Sequence, residues 1–528
     1  MPNHQHYATV SISVFVMAAA CLLGFGLQAE EIRFEDLYRE ALARREAKLG
    51  RHDPEVARSL THLALFLNTH GSAVEAESLL RRALAIDQRA LGNEHARVGE
   101  DFENLGDVLA SKQDYAKAEA EYRRALAIRE SLHGRQDAAV IPSLQKVIRA
   151  VEGRGDAPGA GLIYRRLLTV QEKALGPDHI SLATTSNNLG LLSEASGDLE
   201  EAEHLYRRAL AIHQKAGTGD DPEVAAAWMN LAGVLRLNGD LEKAESSVRE
   251  GLRVFQQSIG EESGNAGSAY ALLGDIELDR GNLEGAESSR RKALDIYQKA
   301  VGASHPDVAA AWRGIGELQE IREDYKAAET SYRHALVIYE GTGSNPGELG
   351  STLSSLGRLA GARGDLVSAG QLFRRALASY GSSSEQEHPE MADASDGLGR
   401  VVRDQGDYAQ AEKLLTRALA IKEGLLGSEH PDVATTLNNL AGLYHLRGDL
   451  ETAEPLYRRA IAIQEQHFGE DSVVLAETIY NLAHLMKAKG NPAEARGLFE
   501  RSVRISGKIY GPNDPLVLKI GEQIQGGR

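Results

Sequence analysis

A single cysteine, Cys21, stands in 528 residues, which excludes an internal disulfide framework and any metal site built from several thiolates. Aromatic residues make up only 5% of the chain and prolines number 14 against 53 glycines, a balance that points to many tight helix contacts rather than disorder. Positive charge is also short. Lys+Arg is 59 against Asp+Glu 76, a formal net charge of −17, which argues against bulk attraction to nucleic acid or anionic lipid. No GxSxG elbow, HExxH helix, Walker loop or paired-Cys element occurs, and strand signals are missing. What is present, 42% hydrophobic and 26% charged residues, is the composition of a folded, helical, soluble protein.

The one long apolar run, Ala8 to Leu27 (ATVSISVFVMAAACLLGFGL), carries no charge and gives way after Ala29 to Glu30 and Glu31, the pattern of an export signal cleaved after Ala29. Its leader MPNHQHY offers His4 and His6 where Lys or Arg is usual, and 20 residues just suffice to cross hydrocarbon. An uncleaved anchor, or neither, are the alternatives. Ala18-Ala19-Ala20-Cys21 is no lipoprotein box, because apolar residues follow the cysteine. The chain is therefore expected to be exported, periplasmic or extracellular, with residues 1–29 a signal peptide or a membrane tether through 8–27.

Self-similarity dominates the remainder. A turn residue recurs at Gly71, Gln113, Gly155, Gly197, Gly239, Gly281, Glu323, Gly364, Gly406, Gly448 and Gly490, with nine spacings of 42 residues and one of 41. Eleven units fill 51–511, a half unit lies at each end, and no room remains for a separate catalytic domain. Numbered from the turn, position −8 is aliphatic throughout (Leu63 to Leu482), and −7 is Ala or Gly except at Ile148. Position +5 is always Ala (Ala76 to Ala495), and +9 is aromatic or aliphatic except at Arg290. A small residue at +5 lets two helix backbones approach closely. Each unit reads as helix, tight Gly-Asp or Gly-Asn turn, helix, with starts such as Asp53-Pro54-Glu55 and His430-Pro431-Asp432 marked by Pro beside an acid. The expected division is a capping helix at 30–50, eleven repeats at 51–511 with a hinge at 341–347 (GTGSNPG), and a capping helix and tail at 512–528. Unit 3 is the other irregular place, with Pro142 inside its first helix.

The small residue after Leu, the Gly-Asp turn and the invariant Ala separate these units from armadillo or HEAT repeats of similar period. The chain resembles the tetratricopeptide repeat (TPR) family. The stretch HPDVATTLNNLAGLYHLRGDLETAEPLYRRAIAIQEQHFG (430–469) looks like the 42-residue version found in kinesin light chains and many bacterial proteins. The resemblance implies an all-α, right-handed solenoid of about eleven helix-turn-helix repeats with half-repeat caps, whose first helices line a concave, peptide-binding face.

On that face, position −9 carries Asn104, Asn188, Asn230, Asn439 and Asn481, with Asn187 and Asn438 beside two of them. An amide there donates to and accepts from a bound backbone, or else bonds a neighbouring helix. Other residues, Gly314, Ser355 and Gly397 among them, interrupt the column. The two-carboxylate clamp of chaperone adaptors, which pairs Lys with Asn, is not matched. Units 6 and 7 present Asp275, Asp279, Glu317 and Glu320, whereas units 8 to 11 present Arg358, Arg400, Arg403, His445, His484 and Lys487, so the sign of charge is expected to change along the face. Asp393, Asp396, Asp404 and Glu477 share the basic segment. The Arg-Arg pairs of the second helices, by contrast, follow Glu by four residues and read as surface ion pairs. His305, His388 and His430 hold equivalent helix starts, and only His445 and His484 are placed to meet.

The expected function is a non-catalytic scaffold holding a protein or peptide, with an acidic segment, in the groove, without cofactor, metal or nucleic acid. The alternatives are an accessory that presents a partner enzyme and a factor in envelope polysaccharide or outer-membrane assembly.

Overall fold

The computed structural model describes residues 27–343, 345–383 and 388–525, so the expected export segment through residue 26 lies outside the described residues. A helix over Leu27–Leu49 precedes eleven helix pairs, from Pro54–Thr69 with Ala73–Leu91 to Val473–Ala488 with Pro492–Tyr510. A helix over Pro515–Gln525 follows, and no strand occurs among the described residues. The fold is an α-solenoid of helix-turn-helix repeats. Clustering of contacts divides it into two compact units, one ending at Ile259 and one beginning at Gly260. Among the described residues no helix is long and apolar enough to cross a membrane.

The Gly-Asp dipeptide ends one helix and starts the next. Gly197 takes φ 82°, its N–H reaches Glu194 O at 2.9 Å, and the Asp198 N–H reaches Ser193 O at 2.9 Å, which satisfies the last carbonyls of the first helix. Asp198 Oδ1 then accepts the Glu201 N–H at 3.1 Å and caps the second helix. Gln113 and Glu323 hold the same left-handed backbone at φ 61° without glycine, a strain of about 1–2 kcal/mol each. At the first helices His305 and His430 act as caps, their Nδ1 accepting the N–H of Asp307 at 3.3 Å and of Asp432 at 3.2 Å. The equivalent His388 makes no such side-chain bond.

The internal columns form the core. The +5 alanines are all buried, at 0–3% exposure, as are the −8 aliphatic residues. The small −7 residue makes room for the +9 ring of its own unit: a Cβ on Gly316 would lie 2.8 Å from Tyr332 Cε1, and one on Gly357 would lie 3.1 Å from Phe373 Cε2.

One expectation changes. Pro142 does not interrupt the first helix of unit 3. The segment becomes a 3-10 turn at Ala138–Val140 followed by a shortened helix, Ile141–Gly153, with Pro142 in its first turn, where no helical N–H bond is lost. The string at 341–347, expected as a hinge, falls where two helices meet. Gly341 belongs to the helix Tyr325–Thr342, and Pro346 opens Pro346–Ala362, with Gly343 and Asn345 both left-handed between them.

Candidate functional site

The −9 asparagines lie half-buried or buried on the first helices, and most bond to neighbouring side chains. Asn230 Nδ2 donates to Asn187 Oδ1 at 3.0 Å, and Asn481 Nδ2 donates to Asn438 Oδ1 at 3.1 Å, each joining one unit to the next. Asn439 Nδ2 donates to Asp396 Oδ2 at 2.7 Å, and Asn188 Nδ2 to the Tyr164 hydroxyl at 3.4 Å. Asn104 is half-buried without a side-chain partner among the described residues. These amides pin successive first helices, and each Asn-Asn pair keeps unused donors and acceptors for a ligand.

The charges on the same face are largely compensated. Arg358 pairs with Glu320 at 2.8 Å, and Glu320 also accepts from the Tyr332 hydroxyl at 3.0 Å. Arg313 bridges Glu317 and Glu348, and Arg403 pairs with its neighbour Asp404 at 2.8 Å. Arg290, the charged exception at +9, is buried. Its stem fills the space above Gly274 where other units hold a ring, and its guanidinium reaches Asp275 at 2.8 Å and the Gly314 carbonyl. Asp275, Glu317 and Glu320 of units 6 and 7 are therefore compensated, and so is part of the basic segment. Arg400 and Lys487 are exposed and form no ion pair among the described residues.

Two adjoining cavities open along units 8 to 11. One, of about 540 Å³, is lined by Arg358, Asp393, Asp396, Arg400 and Lys422 above the rings of Phe373 and Tyr380. The other, of about 490 Å³, is lined by Arg400, Arg403, Asn438, Asn439, Gln464 and Asn481. Arg400 and Thr435 line both, which makes the two cavities one trough. It gathers six of the expected site residues. Lys487 lines neither cavity, and Asn104, Asn188 and Asn230 belong to the other compact unit.

Lys422 and Gln464 were not expected there, since both come from second helices at position +16. Lys422 is 4% exposed and its Nζ holds Asp393 Oδ1 at 2.8 Å. Units 5 to 8 carry Phe255, Tyr297, Tyr339 and Tyr380 in that column, but units 1 to 4 carry Asp87, Arg129, Gln171 and His213, so the sequence held no distinct signal for Lys422 or Gln464. Asp396 is buried, and burial raises its carboxyl above the usual range against the opposing pull of Lys422, Arg400, Thr436 and Asn439. His445 and His484 are both lowered by burial, and His484 sits edge-on to Tyr480, with ring centroids 4.5 Å apart. No cluster of three His, Cys, Asp or Glu residues suited to a metal occurs among the described residues.

Family models described as tetratricopeptide repeat match residues 55–131, 151–215, 223–289, 266–341, 348–424 and 390–466, with further matches at 187–253 and 475–516. The chain belongs to the tetratricopeptide repeat family. No curated protein matches it in sequence. Among solved structures, BtubC (BKLC) from P. vanneervenii is 24% identical with a TM-score of 0.37, over 43% of this chain and 92% of that one. A putative kinesin light chain from Podosopora anserina with TPR-like repeats is 21% identical with a TM-score of 0.33, over 39% and 98%. A STAND protein with a tetratricopeptide repeat sensor from Pyrococcus horikoshii is 16% identical with a TM-score of 0.51, over 87% and 73%, and shows the fold alone.

The TPR second helices carry the expected ion pairs and a further layer. Arg207 meets Glu203 and Arg458 meets Glu454, each at 2.8 Å within its helix. In several pairs the second arginine reaches back to the preceding repeat, as Arg459 does to Glu423 at 2.7 Å and Arg208 does to Glu172, whereas Arg124 stays with Glu121 of its own helix at 2.9 Å. The pairs are thus cross-repeat ties as well as helix-surface pairs.

Proposed function

We propose, on the strength of its tetratricopeptide repeats, that this chain is a protein-protein interaction scaffold without catalysis of its own, and that units 8 to 11 hold a protein or peptide segment along the trough. The observation that carries the reading is Arg400, an exposed cation that lines both cavities and has no ion pair among the described residues. An acidic side chain of the partner meets Arg400 by a charge-assisted hydrogen bond, and the free amide groups of Asn438 and Asn481 take its backbone. Two successive unpaired features, a cation and an amide pair, suit an extended or helical segment better than a compact small molecule.

The test is the affinity of a captured partner. Arg400→Glu with Arg403→Glu is expected to weaken binding and to remove most of its salt dependence, while Arg207→Glu, on the second-helix surface, leaves both unchanged. Equal affinity for all three proteins overturns the assignment. We further propose that the chain works outside the cytoplasm, on the strength of the apolar run at 8–27 and the acidic switch after Ala29.

A further inference from the structure

The acidic element expected of the partner accounts for Arg400 but leaves the floor of the larger cavity unexplained. Asp396 is 7% exposed there, and only one of its carboxylate oxygens is served: Asn439 donates to Oδ2 at 2.7 Å, while Oδ1 has no hydrogen-bond partner. An ionisable group buried with an empty acceptor position is costly, so a native site that keeps one has a use for it. The two cations that act on this carboxyl, Lys422 and Arg400, do not fill it: Lys422 is committed to Asp393, and Arg400 makes no hydrogen bond to Oδ1. At the rim, Glu390 is exposed and has no ion pair among the described residues. In the adjoining cavity the buried Gln464 leaves its Oε1 unpartnered as well, while Ser354 Oγ and Arg313 Nε have no hydrogen-bond partner on the wall of the larger one. A ligand that satisfies Asp396 and Gln464 must bring donors.

We infer that the larger cavity takes a single ammonium group, the side chain of a lysine in the bound segment, steered past Glu390 and seated against Asp396. The inference rests on the trough being the binding site, and it adds the partner's second requirement: a lysine close to the acidic residue that meets Arg400. An ammonium suits the position better than a guanidinium. Asp396 Oδ1 has almost no open surface, and a compact point charge on a slender stem approaches such an atom where a planar fork does not. Its charge also offsets a wall on which, among the described residues, Asp396 and Glu390 stand without an ion pair against Arg400.

The experiment uses the full chain and acetylated, amidated hexapeptide pools, randomised except for one central position fixed as Lys, Arg, norleucine or Glu, with binding read by fluorescence anisotropy. The Lys pool is expected to bind about tenfold more tightly than the norleucine pool, and Asp396→Asn to erase that difference. Glu390→Gln, at an exposed site that does not threaten folding, is expected to reduce it about twofold. Pools that bind without preferring Lys, or an Arg pool that equals the Lys pool, overturn the lysine anchor and leave the trough as a peptide site. An unchanged preference in folded Asp396→Asn overturns it as well. If no pool binds at all, the trough reading itself fails and the anchor with it.

Discussion

Tyr206 lies against Gly190 of the same repeat so closely that a Cβ on the glycine would stand 2.6 Å from the ring, while the tyrosine hydroxyl donates to Glu194 at 2.9 Å. The ring is completely buried, so neither partner has space to yield. Gly190→Ala is therefore expected to destabilise the repeat by about 1–3 kcal/mol through overpacking. Gly233→Ala is the control. It lies on a first helix with only the Glu194 carboxylate near, at 3.9 Å, and gains up to about 1 kcal/mol of helix propensity. Denaturant titration of both variants checks the pair, and equal stability would mean that the −7 column is not a packing contact.

Acid and base act on different parts of the chain. Hydrogen bonds from Arg363 and Arg333 hold the Glu329 carboxyl down to about 2, below the ordinary value of 4.5. A depressed carboxylate contributes stability above its unfolded pKa and loses it as pH falls through the folded one, so this contribution fades between about 4.5 and 2. Glu329→Gln is expected to flatten the acid limb of stability over that range, as followed by circular dichroism.

The opposite sign holds near the amino terminus. Burial, and then the neighbouring Asp87 carboxyl, push Asp101 up to about 8. A raised carboxyl contributes stability that is present at low pH and lost as pH climbs from the ordinary carboxylate range through about 8. Asp101→Asn, which stays neutral, is expected to match the natural chain below the ordinary value of 3.8 and to become progressively more stable than it as pH rises through about 8. Parallel stability curves would remove the buried pair from the account.

Most of the fold was legible because the repeat is a physical record written eleven times. The glycines at the turns, the +5 alanines and the −8 aliphatic residues each have one reason to recur, and the structure places each where that reason applies. Pro142 was misplaced because a proline reads as a break wherever helix register is assumed, whereas the chain shortened the helix and let Pro142 begin it. The site was less legible. Asn439 and Arg358 were visible as groove residues, but their partners Asp396 and Glu320 come from the preceding unit, and such pairing depends on side-chain direction. Lys422 escaped notice because it arises from a second helix, in a column where four successive units are aromatic.

Export leaves a covalent trace. Intact-mass measurement on fractionated cells is expected to find a chain beginning near Glu30 outside the cytoplasm, and a cytoplasmic chain that keeps Met1 would defeat that reading.

The central claim is that the partner segment lies in the trough of units 8 to 11, and site-specific photocrosslinking tests it most directly. A photoreactive residue is introduced in place of Thr435, which lines both cavities, and in a second protein in place of Arg207 on the second-helix surface. The account predicts a partner adduct from position 435, lost when Arg400→Glu is added, and none from position 207. An adduct from position 207 with none from position 435 would contradict it.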